Sequence, residues 1–501
     1  MIMIPLFPLL PLLLLTITII TISKFISPKN RPAIPPGPYQ WPVIGNIFQL
    51  GKLPHLAITR LAQTHGPLIS LKLGSQVLVV GSSPAAAKEI LKTHDRVLSG
   101  RFVRHEFKTQ GSKMHNTAIG LPDECNEQWR SLRSVGRTEL FSGKAIESQA
   151  TLWSGKIAEM VEDLRGKEGS VVEIGDEVLV VALNILGNLV FSRDLVGYDG
   201  RKGAVGGGEM RKLLREFGVL YSTPTLTDLF PLLGDWDLNG MNKKFRDIFE
   251  RMFAICDGII RHRRKQKTRS GSSQHDLLDT LIKRGLVTDL INPFLLELFS
   301  GGVVSATSTI TWALAELVKN QEAMQKLREE LEKEVGLDNI EQSSLPNLPY
   351  LDACVKETMR LHPPVPLLFP HRAMESCNVM GYDIPKDTNV TVNVWAIGRD
   401  PSIWDDPLSY KPERFLGSGL DYKGNDHKYL PFGSGRRMCP GQPMGARVVP
   451  LVVATLVHLF DWSMPGNIDL ANLEMEEKNS MTLVKEKHLC LVPKIRKQVK
   501  V

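Results

Sequence analysis

Cys439 stands among glycines, prolines and arginines rather than in an apolar run. The stretch reads PFGSGRRMCPG over residues 431–441. A nucleophilic cysteine needs a histidine base, and the sequence shows no obvious partner for this one. A structural core cysteine would have apolar neighbours. The setting favours a thiolate that binds a metal, because arginines and backbone N–H groups in glycine turns stabilise negative charge on sulfur.

The spacing of the remaining cysteines narrows the choice of metal. They are scattered, without a CxxC pair or a short disulfide framework: Cys125, Cys256, Cys354, Cys377 and Cys490. This spacing excludes most structural zinc sites, which need closely spaced ligand pairs, and it indicates a reducing compartment. Ligation of one iron by one thiolate fits best, since haem iron accepts a single proximal cysteine that favours O–O cleavage.

Three motifs resemble those of one enzyme family. The spacing FxxGxRxCxG, the haem-loop signature of cytochromes P450, is made by Phe432, Gly435, Arg437, Cys439 and Gly441. The segments ETMR, residues 357–360, and PERF, residues 412–415, resemble the ExxR pair of that family and its partner loop. The chain is therefore similar to a cytochrome P450, from a proline-rich strap near its amino end to MTLVKEKHL near its carboxyl end.

The resemblance implies a fold class, a cofactor and a support for that cofactor. The expected fold is mainly α with a minor β portion, in a single large haem domain. The cofactor is haem b, iron protoporphyrin IX, with Cys439 as its axial thiolate and Phe432 among its contacts. Glu357, Arg360 and Arg414 are expected to form a buried salt-bridged triad beneath the haem loop. An isolated ExxR pair would more often be a surface ion pair of little energetic value.

Three further segments are most similar to plant P450s of the endoplasmic reticulum, in particular to their alkaloid branch. They read EILKTHDRVLSGRFV, RTELFSGKAIESQA and NILGNLVFS. That branch contains N-methylcoclaurine 3'-hydroxylase, phenol-coupling enzymes and littorine mutase. The resemblance implies an oxidoreductase of plant specialised metabolism that uses O2 and supplied electrons to oxidise a small, largely apolar substrate. It leaves the reaction itself open.

The two propionates of a haem need donors and cations around them. Trp129 and Arg133 lie four residues apart in WRSLR, one helical turn, so both side chains can face the same propionate edge. His371 in FPHRA and Arg437 resemble the remaining propionate partners of the family. We therefore expect these four side chains to converge on one edge of the cofactor.

The helix expected to cross the distal haem face departs from the family pattern. In family members a run of small residue, glycine, any residue, acid and threonine helps to deliver protons during oxygen activation. The corresponding run lies in LFSGGVVSATSTITW, residues 298–312. Gly301 and Gly302 keep the small pair, but Val304 stands at the acid position and Ser305 at the threonine position.

Two interpretations of this departure stay open. In the first, ordered water and the Ser305 hydroxyl supply the protons, and the enzyme is an ordinary monooxygenase. In the second, the missing acid marks phenol coupling or radical rearrangement without net oxygen insertion, since positioned acids typically contribute about 10²- to 10⁴-fold to such proton transfers. Other acids do not replace it, because Glu297 is about 12 Å along the helix from Ser305 and Glu316 is about as far on the other side.

The substrate pocket is assigned by position in the family. It is expected to include the loop 102–121, the region 210–245, the segment PPVPLLF and the turn 480–482. A largely apolar lining is expected from Val303, Val304, Val365, Leu368 and Met481. An amine substrate would favour an acid in this lining, for which Glu106 is a candidate. A solvated loop charge is the alternative for that residue.

An apolar segment precedes everything that carries chemistry. Residues 1–26 read MIMIPLFPLLPLLLLTITIITISKFI, with no charge before Lys24. About 20 apolar residues span a bilayer, and the basic start and small-residue cleavage site of a secretory signal are missing. Lys24, Lys29 and Arg31 follow the apolar run, and positive charge beside a span stays cytoplasmic. We expect a single-pass anchor in the endoplasmic-reticulum membrane, with the catalytic domain facing the cytosol.

The rest of the chain is predicted to be a stiff hinge, residues 27–46, and one haem domain, residues 47–501. Closely spaced prolines fix φ in the hinge and remove backbone donors, so it should be extended. In the domain, LISLKLGSQVLVVGS alternates like a strand pair and SPAAAKEILKTH begins like a helix. Helical patterns dominate from about 129 to 335, with exposed loops predicted at 200–209 and 261–276.

Charge and the missing motifs bear on partners. A net charge of +7 over 501 residues, not gathered into a tail, makes nucleic acid a poor partner. No GxGxxG dinucleotide loop and no flavin domain follow the haem loop. Electrons are therefore expected from NADPH through a separate NADPH–cytochrome P450 reductase, docked near Arg436 and Lys428. A membrane-anchored haem- or ligand-binding protein without turnover is the alternative of another class.

Overall fold

The computed structural model describes residues 33–105, 107, 118–198, 207–237, 240–270, 276–336 and 340–496. The predicted anchor, residues 1–26, and the candidate acid Glu106 lie outside the described residues. Within them the predicted fold class, mainly α with a minor β portion, is confirmed.

Helices make up most of the described chain. Their bounds are α1 (Ile47–Leu50), α2 (Pro54–His65), α3 (Pro84–Lys88), α4 (Glu127–Gly136), α5 (Gly143–Ser148), α6 (Ala150–Gly166), α7 (Ile174–Phe191), α8 (Gly207–Ser222), α9 (Leu226–Leu229), α10 (Met241–Ser270), α11 (Leu277–Lys283), α12 (Thr288–Lys319), α13 (Gln321–Glu334), α14 (Pro349–Leu361), α15 (Val394–Ile397) and α16 (Gln442–Leu459). One π-helical turn each extends α3 and α4, over Glu89–Thr93 and Arg137–Phe141.

The strands are short. They are β1 (Leu68–Leu73), β2 (Gln76–Gly81), β3 (Gly100–Arg101), β4 (Val172–Glu173), β5 (His371–Arg372), β6 (Cys377–Val379), β7 (Tyr382–Ile384), β8 (Asn389–Val392), β9 (Phe460–Ser463), β10 (Glu477–Asn479), β11 (Leu483–Lys485) and β12 (Cys490–Ile495). The largest sheet has the order β1-β2-β8-β5-β3, with only β2 and β8 parallel. A second sheet has the order β4-β12-β9, and β6-β7 and β10-β11 are hairpins.

Polar caps explain where two of the helices near the site begin. The Ser83 side chain accepts a hydrogen bond from the Ala86 N–H, and Pro84 takes the first helical position of α3, where its missing donor costs nothing. Asn126 caps α4 in the same way by accepting from the Trp129 N–H. The Ser-Pro start predicted for the first of these helices is confirmed.

Three apolar helices form the interior of the fold. Ile174–Phe191, Thr288–Lys319 and Gln442–Leu459 are long and apolar enough to cross a membrane, but 78%, 56% and 61% of their most apolar windows are buried inside the fold. Helix α12 packs against α7, α14 and α16. Burial of such all-round apolar surface is the main force that fixes α12 at the centre of the molecule.

The described part of the predicted hinge lies against β1 instead of standing free. The Ser70 N–H donates to the Pro36 carbonyl at 2.8 Å, and the Ser70 hydroxyl donates to the Pro35 carbonyl at 2.6 Å. A Cβ at Gly37 would collide with the Ser70 carbonyl oxygen, so only glycine allows this approach. Residues 35–37 are thus an extra extended segment on the edge of the large sheet.

The prediction of an exposed loop at 261–276 is wrong for the first ten residues. Helix α10 continues through Ser270, because arginine, lysine and glutamine are good helix formers. Arg263, at the centre of the basic run, is buried and forms ion pairs with Asp276 at 2.8 Å and Asp279 at 3.0 Å. These buried acidic partners on the next segment therefore stabilise the helical conformation of the basic run.

Candidate active site

The loop that carries Cys439 is shaped by glycines. A 3-10 turn over Gly435–Arg437 precedes the cysteine, whose N–H donates to the Phe432 carbonyl at 3.0 Å. Gly435 has φ +71°, and a Cβ there would collide with the carbonyl oxygen of Leu91, which lies in the π turn after α3. The left-handed backbone and the close approach both require glycine, which explains one fixed position of the motif.

The pKa of the Cys439 thiol is raised overall, although several of its neighbours would stabilise a thiolate. Burial raises the pKa of this thiol, whereas hydrogen bonds from the Gly441 and Gln442 N–H groups and the charge of Arg133 act to lower it. The residue nevertheless has exposed surface, so another group has room to contact it. A metal cation bound to this sulfur would stabilise its negative charge in place of water.

Two arginines flank the indole ring of Trp129. The guanidinium carbons of Arg133 and Arg437 each lie 5.2 Å from the ring centroid, within the range of cation–π attraction. The Trp129 N–H donates to the Ile119 carbonyl at 2.8 Å, and Arg133 donates to the Met438 carbonyl at 2.5 Å. The structure therefore brings together the helix α4 pair and the haem-loop arginine, although the Trp129 donor is already used within the protein.

A third arginine, Arg101 on β3, joins this cluster and was not predicted from the sequence. Arg101 pairs in register with His371 on β5, and its Nη1 donates to the Phe369 carbonyl at 2.6 Å. Burial and the nearby charge of Arg437 lower the pKa of Arg101 to about 9. Because a guanidinium keeps its proton in proteins, this shift means that the cation is poorly compensated.

His371 lies beside Arg101 in this cluster and is uncharged. Its Nδ1 lies 2.6 Å from the Leu98 carbonyl, which fixes the proton on that nitrogen and leaves Nε2 for another group. Burial and the charge of Arg101 lower the pKa of His371 well below its usual value. The imidazole adds a hydrogen-bonding position to the cluster without adding charge.

The cluster fits the two carboxylates of a haem. Nε of Arg101 and Nη1 of Arg437 are buried and have no hydrogen-bond partner among the residues that the structure describes. The other guanidinium donors of Arg437 are used, since Nε donates to the Ser99 carbonyl at 2.9 Å and Nη2 to the Pro122 carbonyl at 2.7 Å. Burying a cation without a partner costs free energy, so these donors favour a ligand with at least two anionic oxygens. A haem has two such carboxylates, and its iron could bind the Cys439 sulfur.

Glu297, which the sequence excludes only as a substitute for the missing acid near Ser305, joins this region to helix α12. Its carboxylate accepts hydrogen bonds from three successive N–H groups, those of Ile119 at 2.5 Å, Gly120 at 2.9 Å and Leu121 at 2.8 Å. Burial raises the pKa of Glu297, while these backbone donors act to lower it. The Ile119 carbonyl in turn binds Trp129, so one contiguous set of contacts runs from α12 to the Cys439 loop.

On α12 the residues expected at the oxygen site lie on the partly open side of the helix. Gly301 and Gly302 are exposed, and Val304 and Ser305 are half-buried. The Ser305 hydroxyl donates to the Gly301 carbonyl at 2.6 Å, a bond within the helix. Its remaining acceptor capacity is free to receive a hydrogen bond from water or substrate.

The predicted pocket residues divide into two groups. Val365, Leu368 and Met481 are half-buried, as a lining position allows. Leu368 has φ +52°, an uncommon left-handed conformation for a leucine, and its side chain reaches the haem loop at Gly433. Val303, in contrast, has no exposed surface and packs in the apolar core around α7 and α10, so the structure does not bring it to the open side of α12.

The predicted triad is assembled in the interior. Arg360 forms two parallel bonds to the Glu357 carboxylate, Nε to Oε2 at 2.7 Å and Nη2 to Oε1 at 2.8 Å. Arg414 Nε donates to the same carboxylate at 2.9 Å. Arg360 and Glu357 are completely buried, and the Arg360 guanidinium also donates to the carbonyls of Gly398 and Pro407. The triad therefore fixes α14 to the segment 398–414.

Comparison with known proteins decides the family. The cytochrome P450 family model matches residues 35–491. The chain is a cytochrome P450. It is accordingly an oxidoreductase with a haem-thiolate centre, and the alternative of a binding protein without turnover is set aside. Because the match begins at residue 35, it includes the strap that packs on β1.

Plant enzymes are among the relatives of this P450. It is 46% identical over 469 residues to a probable (S)-N-methylcoclaurine 3'-hydroxylase isozyme 2 of Coptis japonica, with 94% of each chain covered. It is 42% identical over 468 residues to corytuberine synthase of the same species, with 92% of this chain and 94% of the relative covered. It is 39% identical to berbamunine synthase of Berberis stolonifera, with 92% and 94% covered.

A solved structure confirms the fold. A zebrafish cytochrome P450 determined with progesterone superposes with a TM-score of 0.74, covering 88% of this chain and 99% of that one at 24% identity. At this identity the likeness carries only the architecture.

The two residues predicted for reductase docking are on the surface. Lys428 is exposed, and Arg436 is partly exposed with its guanidinium 3.8 Å from the Asp95 carboxylate. Arg436 stands at a variable position of the motif and is exposed, whereas the motif arginine that follows it, Arg437, is buried. Their separate roles stay predictions.

Two site residues were missed at the sequence level for different reasons. Glu297 had a visible signal, because a lone carboxylate in the apolar run PFLLELFSGG must find partners if the helix is buried. Arg101 had none, since a single arginine between a strand and a loop is usually solvated. Only its pairing with β5 shows where it lies.

Proposed function

We propose that this P450 oxidises a small, largely apolar plant alkaloid, of the benzylisoquinoline class to which N-methylcoclaurine belongs. The observation that carries the proposal is the similarity to an N-methylcoclaurine 3'-hydroxylase over nearly the whole chain. Hydroxylation of an aromatic ring is therefore the reaction that we place first. The half-buried apolar side chains at the predicted pocket positions suit such a substrate.

The proposed cofactor contacts follow from the arrangement of the cluster. Cys439 would hold the haem iron through its sulfur, and the N–H groups of Gly441 and Gln442 would stabilise negative charge on that sulfur. Arg101, Arg437 and His371 would hold the propionates, because they retain buried donors that lack other partners or a free ring nitrogen. When bound, the haem supplies oxygen activation, to which a thiolate ligand contributes electron density.

The residues of α12 would govern the proton supply. Gly301 and Gly302 leave the helix surface without side chains, and Ser305 keeps a hydroxyl at this point. Val304 gives no carboxylate, and the nearest acids on the helix are bound elsewhere: Glu297 to backbone N–H groups and Glu316 to His362 at 2.7 Å. Protons would therefore travel through the Ser305 hydroxyl and ordered water.

A second candidate reaction is favoured by this same departure. Oxidation of a phenol by one electron, followed by coupling or rearrangement, leaves no new oxygen in the product, because both oxygen atoms of O2 leave as water. The valine at position 304, together with the bond of Ser305 to its own helix, supports this alternative. Two of the relatives are named synthases rather than hydroxylases.

The electron source and location are part of the proposal. NADPH would supply the electrons through a separate NADPH–cytochrome P450 reductase, which docks on the surface that holds Lys428 and Arg436. Residues 1–26 would anchor the protein in the endoplasmic-reticulum membrane, with the haem domain on the cytosolic side.

Labelled oxygen gas separates the two reactions. Full-length P450 and a plant reductase in lipid vesicles would be supplied with (S)-N-methylcoclaurine and then with other benzylisoquinoline and tropane alkaloids. Substrate-dependent NADPH consumption and a product that carries one labelled hydroxyl are expected. A dehydrogenated, coupled or rearranged product without label would replace hydroxylation by the second candidate.

The control is Cys439→Ala in the same vesicles. The reduced wild-type protein with carbon monoxide should show the absorption of a thiolate-bound haem, and the variant should lose both this band and turnover. A variant that keeps them would overturn the assignment of the ligand. Failure of every alkaloid to stimulate NADPH consumption, with the band intact, would overturn the substrate class alone.

A further inference from the structure

A buried cluster of charged side chains lies away from the haem residues, around Glu477 at the start of the hairpin β10–β11. The Glu477 carboxylate is 3.1 Å from His55 Nε2 on α2 and 3.1 Å from His362 Nδ1 at the end of α14. The Arg399 guanidinium is 3.5 Å away, and the Trp395 indole N–H is at 3.4 Å. One carboxylate thus binds groups from three separate parts of the fold.

His362 extends this cluster to helix α12. Its Nε2 lies 2.7 Å from the Glu316 carboxylate, and its ring stacks on Trp312 with a centroid distance of 3.8 Å and an interplanar angle of 2°. Both ring nitrogens face carboxylate oxygens, so His362 bridges the Glu477 and Glu316 side chains. His362 therefore joins β10 to α12.

The other end of the hairpin is bound directly to α12. The Leu483 carbonyl on β11 accepts from the Ser308 hydroxyl at 2.6 Å and from the Trp312 N–H at 2.9 Å. The Leu483 N–H donates to the Pro364 carbonyl at 2.8 Å. Ser308 is three residues beyond Ser305, so this hairpin is fixed to the helix segment that carries the proposed oxygen site.

The tip of the hairpin, residues 480–482, points toward helix α8. A Cβ at Gly218 on α8 would lie 3.2 Å from the Ser480 hydroxyl and 3.9 Å from Met481 Cβ. Met481 packs against the core cluster formed by α7, α8, α10 and α12. A small change in the register or tilt of β10–β11 would therefore move the tip against the elements that surround the predicted pocket.

We propose that Glu477 is a positioning residue that sets where the 480–482 tip lies over the substrate cavity, by holding β10 against His55, His362 and Arg399. The inference deepens the proposed function, because it takes that tip as part of the pocket. Glu477 itself lies at the opposite end of the hairpin from the tip, so it acts through β10 and β11 rather than by touching substrate.

The electrostatics of the cluster support this role. Burial acts to raise the pKa of Glu477, but the hydrogen bonds from His362 and His55 and the charge of Arg399 outweigh it and lower the pKa below the usual carboxyl range. The carboxylate is thus ionised and bound by charge-assisted hydrogen bonds, which are stronger and more directional than neutral ones. A glutamine of the same shape would turn an NH2 group toward donors.

Two azole ligands of different size test the proposal without requiring the natural substrate. Imidazole binds a haem iron and occupies little of the pocket, whereas clotrimazole also fills the surrounding cavity. In Glu477→Gln we expect unchanged haem content and imidazole affinity, but clotrimazole binding about tenfold weaker or more, because a displaced tip would no longer fit the cavity around the larger ligand. Hydrogen exchange of the amides in residues 476–486 should be faster.

Glu486→Gln is the matched control, because Glu486 lies just beyond the same hairpin in an exposed pair with Lys478 at 3.8 Å. It should leave both affinities and the exchange rates unchanged. Ser308→Ala, which removes one bond to Leu483, should weaken clotrimazole in the same direction and serves if Glu477→Gln does not fold.

The outcomes are distinct. Faster exchange with unchanged clotrimazole affinity in Glu477→Gln and Ser308→Ala would show a purely structural cluster and overturn the proposal. Equal loss of imidazole and clotrimazole binding would also overturn it, because the haem site itself would then be disturbed. If wild-type protein binds both azoles but oxidises no alkaloid, the proposed substrate fails while the positioning role is still measured.

Discussion

Arg101 and Arg437 show how single side chains define this site. They lie close enough that the charge of Arg437 lowers the pKa of Arg101, and each retains a buried donor without a partner among the described residues. Two buried cations so close together repel one another, and a nearby anion would compensate this repulsion. Haem propionates would supply that anion, so both arginines should contribute to retention of the cofactor.

Arg101→Leu is therefore expected to release haem faster, by about tenfold or more if one charge-assisted bond is lost. The measurement is the rate of haem transfer to excess apomyoglobin. The matched control is Arg436→Leu, which removes a partly exposed arginine from the motif and should leave the rate unchanged. An unchanged rate in Arg101→Leu would remove this residue from the cofactor site.

At the level of elements, helix α12 and the loop around residues 118–121 are joined through a single carboxylate. Glu297 lies one turn before Gly301, and its three backbone donors are on the segment that also holds the Trp129 indole. The hydrogen bonds offset part of the cost of burying this charge, although its pKa is still raised. The loop thus takes its position from the same helix that carries the oxygen residues.

Glu297→Gln should loosen this loop and lower the free energy of unfolding by about 1–3 kcal/mol, since one acceptor oxygen becomes a donor facing N–H groups. Faster hydrogen exchange at residues 118–121 is the measurement. Because the folded pKa of Glu297 is raised, the folded state binds more protons between the two pKa values, and wild-type stability falls there as pH rises. The variant should lack this slope.

Glu322→Gln on α13 is the control, since its carboxylate is 83% exposed and pairs only with a surface lysine among its described contacts. Exchange rates at 118–121 and a pH slope identical to wild type in Glu297→Gln would contradict the proposed clamp.

At the level of the whole molecule, the buried triad connects the end of α14 with the meandering segment that leads to the haem loop. Glu357 binds both Arg360 and Arg414 and also accepts from the Lys411 N–H at 2.8 Å. Arg360 stacks over Trp404, 5.3 Å from its ring centroid. Removing the acid would leave a completely buried guanidinium without its counter-charge.

Glu357→Gln should therefore destabilise the fold by about 3–5 kcal/mol, the usual cost of breaking a buried ion pair. We expect little recoverable protein with thiolate-bound haem, measured by the carbon monoxide spectrum per mole of polypeptide. Glu413→Gln, in the same PERF segment but 45% exposed, should give close to the wild-type yield. Equal yields from the two variants would show that the triad is not needed for folding.

The sequence by itself determined the features that reside in short motifs. The glycine turn around Cys439 is local, because its left-handed backbone and N–H groups come from neighbouring residues. The ExxR spacing places Glu357 and Arg360 on one helical face, and the helical majority follows from periodicity. These features depend mainly on neighbouring residues, so short sequence patterns are enough to predict them.

Tertiary structure alone decided which distant groups meet. Arg437 donates to the carbonyl of Pro122, 315 residues away, and Glu477 meets His55 across 422 residues. The sequence predicts a solvated loop for the basic run of α10, but in the structure Arg263 forms an ion pair with a buried acid. The sequence places Val303 in the pocket lining, but the orientation of α12 places it in the apolar core. Burial sets the rotation and partners of each element, and burial depends on how all the elements pack together.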